Sequence, residues 1–81
     1  ARQATATLRR TVQRLERDIA ETETEIGELE GRLADPSIYE APELVAELAD
    51  AHEAAKARAA RLLAEWERAA AELEELQTDS A

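Results

Sequence analysis

The sequence predicts an all-α protein, a two-helix antiparallel coiled-coil hairpin with a Pro-containing tip. Two stretches of heptad periodicity, residues 5–33 and 45–76, flank a short segment holding the chain's two prolines, Pro36 and Pro42. Phe, Met and Cys are absent and there is one Trp, so the apolar inventory, mostly Ala and Leu, fills a thin seam rather than a thick core. At 81 residues the chain forms one domain, 1–81.

Helix one is expected over residues 4–34. Thr5, Leu8, Val12, Leu15, Ile19, Thr22, Ile26, Leu29 and Leu33 alternate spacings of three and four. Heptad positions a then hold mostly β-branched residues (Val12, Ile19, Ile26) and positions d mostly Leu (Leu8, Leu15, Leu29). A helix of about thirty residues is ~45 Å long. Gly27 and Gly31 fall at b and f, facing solvent. They read as tolerated surface glycines, costing about 1 kcal/mol each relative to Ala, with local bending near the tip as the other reading.

The tip, residues 35–41, follows from Pro36, which cannot sit inside a helix and biases Asp35 away from the helical region. Asp35-Pro36 also reads as an N-cap and N1 pair, giving one extra turn over 36–40. Tyr39, with Ile38 and Leu44, is expected to cover the end of the seam. Pro42 suits N1 of helix two, with Glu43 in the first turn. Helix two is expected over 42–76, its seam Val45, Leu48, His52, Ala55, Ala59, Leu62, Trp66, Ala69, Leu73 and Leu76, followed by a frayed tail, 77–81. Trp66 supplies large area to a helix otherwise rich in Ala.

The two seams thread antiparallel when paired residue numbers sum to 81. Val12 then faces Ala69, Leu15 faces Trp66, Ile19 faces Leu62 and Leu33 faces Leu48. A one-heptad shift also preserves the pattern, so periodicity alone leaves the register open. So thin a seam predicts marginal stability or self-association through residual apolar surface.

The net charge of −9 is unevenly spread. Residues 1–17 carry five arginines and one glutamate, a balance of +4; residues 18–55 carry twelve acids and only Arg32, −11; residues 56–81 carry four cations and six acids, −2. Antiparallel pairing places the Arg-rich start beside Glu65, Glu67, Glu72, Glu74 and Glu75, where exposed pairs are worth about 0–1 kcal/mol each and disfavour other alignments.

Little points to catalysis. With no Cys, disulfide and thiolate chemistry drop out, and no G-x-x-x-x-G-K phosphate loop is present. His52 is the lone histidine, with Ala49 where an E-x-x-H motif needs Glu, so it reads as a seam residue rather than a metal ligand or general base. The acidic run Glu21, Glu23, Glu25, Glu28, Glu30 is a solvated face or a contact surface for a basic partner. Arg10, Arg14 and Arg17 share one outward face of helix one, and Arg61 and Arg68 line a stripe on helix two. These are the candidate nucleic-acid residues, although no aromatics interleave them and the overall anionic charge opposes phosphate binding. No apolar run approaches a membrane span and no signal-peptide pattern appears. A chain starting at Ala1 reads as a piece of a longer protein.

The order of these features carries a resemblance. A Glu-rich heptad helix leads into Leu33-Ala34-Asp35-Pro36-Ser37-Ile38-Tyr39 and Pro42-Glu43-Leu44, and an Ala/Glu-rich helix follows with Trp66-Glu67 and Leu73-Glu74-Glu75-Leu76. This resembles the C-terminal coiled-coil domain of ABC-F ATPases, the Uup-like group often described as ABC transporter ATP-binding proteins. The L-A-D-P-x-[I/L]-Y tip is its most specific element, and Ala41 departs from the Asp expected before Pro42. The resemblance implies a cytoplasmic parent with two ATP-binding cassettes and no membrane domain, with ATP and Mg bound outside this chain, which itself needs no cofactor. It implies an accessory, non-catalytic role in engaging DNA, ribosomal RNA or the ribosome, and the parent's ATPase domains as partners. The alternative is a structural or protein-interaction hairpin with an acidic docking surface. The helical arm of a tRNA-handling enzyme fits less well, since its tip should be basic.

Overall fold

The computed structural model describes residues 2–79, arranged as α1 (Arg2–Leu33), a 3₁₀ turn (Pro36–Glu40) and α2 (Pro42–Asp79). The two helices lie side by side in a rod of 61 × 15 × 14 Å. Among the described residues there is no strand. The hairpin expected from the heptads is therefore the observed fold, with the prolines at its bend.

Every predicted seam residue on both helices is buried or half-buried, and the most buried ones recur at heptad intervals. Leu15 and Thr22 on α1, and Leu48, Ala55, Leu62 and Ala69 on α2, form the interior. Leu15, Leu62 and Ala69 cluster together, with Val12, Ile19 and Trp66 packed against them. Those six are the three layers Val12/Ala69, Leu15/Trp66 and Ile19/Leu62. Two side-chain bonds across the hairpin fix the same register: Trp66 Nε1 donates to Glu16 Oε2 at 3.2 Å, and His52 Nε2 lies 3.0 Å from Glu30 Oε2. A one-heptad slip would set Ala59 or Leu73 opposite Glu16, and neither side chain can donate a hydrogen bond.

Thr22 is the polar member of the interior, only 1% exposed. Its hydroxyl donates to the Asp18 carbonyl at 2.7 Å, one turn back along α1, so it is buried without an orphaned polar group. Facing Ala59, it makes a thin layer, so the best-packed part of the seam lies around Leu15, nearer the open end.

The tip is built by local hydrogen bonds. Asp35 has extended backbone (φ −74°, ψ 118°) and caps the 3₁₀ turn: its carboxylate accepts from the Ser37 backbone N–H at 3.0 Å and the Ser37 hydroxyl at 2.9 Å. Pro36 follows at the start of the turn, where a missing N–H costs nothing. At the end of α1, Ala34 N–H donates to Glu30 O at 3.0 Å and Asp35 N–H to Arg32 O at 3.2 Å. The Leu33 carbonyl accepts from the Tyr39 hydroxyl at 2.7 Å. Three carbonyls of the last turn of α1 thus find partners.

Two expectations need correction here. Tyr39 does not cover the seam: it is 58% exposed, because its hydroxyl reaches back to the Leu33 carbonyl and this leaves most of the ring in solvent. Ile38 and Leu44, both half-buried, lie at that end instead. Second, α2 continues past Leu76 through Gln77 and Thr78 to Asp79, so the three residues expected to fray are helical. Residues 80 and 81 of that tail lie outside the described residues. At the start of α2, Leu44 and Val45 N–H donate to the Ala41 carbonyl at 3.0 and 3.1 Å, while Ala41 has no side-chain oxygen with which to cap the helix.

The two hydrogen bonds from Ser37 hold the Asp35 carboxyl below its ordinary pKa, the backbone bond contributing more than the hydroxyl, with a small opposing effect of desolvation. A depressed pKa means that the ionised form is favoured by folding. The contribution is complete above the ordinary aspartate pKa and is lost as pH falls through the lowered one. The melting temperature of Asp35→Ala should therefore lie below that of the unmodified chain at neutral pH. The gap should shrink as the carboxyl protonates in strong acid. Melting curves recorded by circular dichroism across this range would refute the assignment if the gap were independent of pH.

Candidate interaction surface

The exposed charges of a two-helix rod are placed by heptad position. Arg14 on α1 and Arg61 and Arg68 on α2 all fall at position c. In an antiparallel pair the g positions flank one another on one side of the seam, and the c positions lie just outside them, so these three arginines share a side, with Arg14 level with Arg68. Arg10 and Arg17 fall at f, farther round on the back of α1. The two predicted stripes are thus partly brought together, and between them run the g residues Thr11, Asp18, Glu65 and Glu72.

All five arginines are exposed. Arg14 pairs with Asp18 one turn on, Nη1 to Oδ2 at 3.4 Å, with just over half of its side chain in solvent. Arg10 Nη2 donates to Thr7 Oγ1 at 3.5 Å. The side chains of Arg17, Arg61 and Arg68 have no hydrogen bond or ion pair among the described residues.

The expected lattice of Arg–Glu pairs between the helices is not formed at contact distance. Among the described residues the ion pairs are Arg14–Asp18, Lys56–Glu53 at 3.3 Å, and His52–Glu30 when His52 is protonated. Only the last crosses the hairpin. Arg10, Arg14 and Arg17, at c and f, point away from the neighbouring helix, while Arg2 and Arg9, at e, flank the e positions of α2, where Ala70 and Gln77 carry no charge. Among the described residues, no Arg–Glu bridge between the helices holds the alignment.

His52 and Trp66 occupy the same heptad position, a, and each reaches a glutamate at position e of α1. For His52 the side chain is 18% exposed and Glu30 is 60% exposed. The ring packs in the seam while one nitrogen meets a carboxylate. Glu30 belongs to the acidic run that reads as a solvated face, and Glu16 is the one acid of the Arg-rich start. The signal that could have found them is their e position opposite a seam side chain with an N–H. Among the described residues, no group of three His, Asp or Glu side chains is arranged to hold a metal ion, and no helix is long and apolar enough to cross a membrane.

At the open end, Ala4, Leu8 and Leu76 line a shallow groove with Thr7, Arg10 and Glu72. At the other end, Pro36, Tyr39 and Pro42 are exposed beside Asp35, Glu40 and Glu43. The rod thus has a partly apolar open end, where the arginines of α1 lie beside the glutamates of α2, and an anionic tip carrying one exposed aromatic ring.

No curated protein and no solved structure matches the chain significantly. The family model described as ABC transporter C-terminal domain matches residues 3–75, which takes in α1, the tip and most of α2. With that match over nearly the whole hairpin, the chain belongs to the ABC transporter C-terminal domain family.

Proposed function

We propose that the hairpin is the non-catalytic accessory domain of an ABC-F ATPase and assists engagement of nucleic acid, as DNA or ribosomal RNA, or of the ribosome. The observation that carries this reading is the set of exposed arginines on the open-end half, three of them without a partner among the described residues, in a domain of this family. Guanidinium groups free of intramolecular partners are available to phosphates, and binding by them releases counterions. ATP hydrolysis, with its Mg, is assigned to the parent's cassettes in the cytoplasm, and the hairpin's immediate partners are those domains.

The arginines should act through phosphate contact rather than base stacking, because Trp66 is committed to the seam and Tyr39 lies among carboxylates. Binding should therefore be weak, strongly salt-dependent and insensitive to sequence. Fluorescence anisotropy with a labelled DNA duplex and a labelled RNA hairpin at low salt reads this directly. The triple variant Arg14→Glu, Arg61→Glu, Arg68→Glu should bind at least about tenfold more weakly, with a shallower salt dependence. Equal affinity for the variant, or no binding by the unmodified chain at tens of micromolar, would reject autonomous nucleic-acid affinity.

A second reading, a structural hairpin whose acidic half docks a basic protein, draws on the tip half. Glu21, Glu23, Glu25, Glu28, Glu40 and Glu43 are exposed, and their side chains have no partner among the described residues. Reversing their charge should then abolish capture of the parent's interacting proteins, whereas the nucleic-acid reading predicts unchanged capture.

A further inference from the structure

Gly27 and Gly31 are not required by anything inside the hairpin. Neither has a positive φ, and a Cβ built at either position meets nothing within 4 Å. Each nonetheless costs about 1 kcal/mol relative to Ala in a helix interior. With Ala20 and Thr24 they form a ridge of small, exposed residues along the outward face of α1. Glu21 and Glu28 border this ridge, both exposed and without a side-chain partner among the described residues. Toward the open end the same face changes character: its charged residues there are Arg10, Arg14 and Arg17. The face is divided near Ala20 into a cationic half with long side chains and an anionic half with a low floor.

Such a face is complementary to itself turned end for end. We propose that the outward face of α1 docks a second copy of this chain, antiparallel and two-fold symmetric. In that arrangement Arg17 meets Glu21 of the second copy and Arg10 meets its Glu28, each contact occurring twice by symmetry. The stems of Gln13 and Arg14 lie over the floor made by the other copy's Gly27 and Thr24, where a larger residue would hold the backbones apart. The arrangement also carries the two strongly acidic tip halves to opposite ends of the dimer, each beside the arginine-bearing part of the other copy's α1. A parallel pair would stack them. Exposed ion pairs are individually weak, so the dimer is weak and salt-sensitive. The proposal does not rest on nucleic-acid binding, because Glu21 and Glu28 would repel phosphate and here they are the acceptors.

Sedimentation equilibrium tests it by charge exchange. The unmodified chain should associate at about 20 mM salt and do so roughly tenfold more weakly at about 500 mM. Arg10→Glu with Arg17→Glu should remove association, and so should Glu21→Arg with Glu28→Arg, while an equimolar mixture of the two variants should associate again. Circular dichroism checks that both remain helical. Gly27→Gln with Gly31→Gln supplies a second signature: helix propensity should raise the melting temperature while the longer side chains weaken self-association. A chain that stays monomeric at about 1 mM in low salt would overturn the proposal. So would variants that associate as well as the parent, or a mixture that fails to associate.

Discussion

Leu15→Ala is expected to leave the chain largely unfolded at room temperature. Leu15 is 1% exposed and sits among Val12, Ile19, Leu62, Trp66 and Ala69, the best-packed layers of the hairpin. Removing a fully buried Leu side chain costs roughly 2–5 kcal/mol through lost transfer energy and the cavity left behind. A larger protein absorbs such a loss, but a two-helix rod of this length has little more than that to lose. Its neighbours cannot collapse into the space either, because Ala69 is too small and Trp66 is tied to Glu16. Urea titration followed at 222 nm should show the unmodified chain unfolding cooperatively and Leu15→Ala without a folded baseline. Leu8→Ala, at the half-buried open end, should cost clearly less. Equal costs at the two positions would mean that the seam is not packed as described.

Trp66→Ala is expected to be the next most damaging change, and its comparison with Trp66→Phe separates packing from hydrogen bonding. The indole supplies most of the area in a layer otherwise made by Leu15, and replacing a buried aromatic by Ala costs about 3–5 kcal/mol. Partial exposure should bring the cost here toward the lower end of that range. Trp66→Phe keeps most of the ring and loses the bond from Nε1 to Glu16 Oε2. Because Glu16 is exposed and stays hydrated, that loss should be no more than about 1 kcal/mol. As the only Trp, residue 66 also reports on the seam: its emission should shift to the red as the hairpin opens. If Phe proved as costly as Ala, the hydrogen bond and not the ring would be holding the layer.

The sequence made the seam legible because heptad periodicity depends on one dominant effect, the burial of apolar side chains between two helices. Val12, Leu15 and Ile19 on α1, and Leu62, Trp66 and Ala69 on α2, meet in the layers expected from pairing numbers that sum to 81. What periodicity could not decide was the register, since a one-heptad slip keeps every a opposite a d. The structure decides it through polar groups: the indole N–H of Trp66 and the ring of His52 each find a glutamate. The tip was legible as a turn because Pro36 and Pro42 admit few alternatives. The orientation of Tyr39 was not, because a single hydrogen bond to the Leu33 carbonyl outweighs the burial of a ring at the end of a rod. Surface charge was the least legible. Long side chains at c and f can reach several partners or none, and composition alone does not say which. The family was readable from the tip motif and the helix order, and the match over residues 3–75 supports it at the level of the ABC transporter C-terminal domain.

The hairpin requires the two helices to be folded back against each other within one chain. A distance between spin labels at Arg9 and Glu75, measured by pulsed electron resonance on chains diluted with unlabelled protein, tests this most directly. Both sites are exposed at the open end, and the chain has no Cys to compete with introduced ones. An antiparallel hairpin with helix axes about 8–10 Å apart predicts a single narrow distribution near ~20–25 Å once the label arms are added. Helices that separate at the tip and pair only between chains would place the two labels many tens of ångströms apart, approaching ~90 Å for a fully extended arrangement. That longer distance, persisting in dilute samples, would contradict the hairpin.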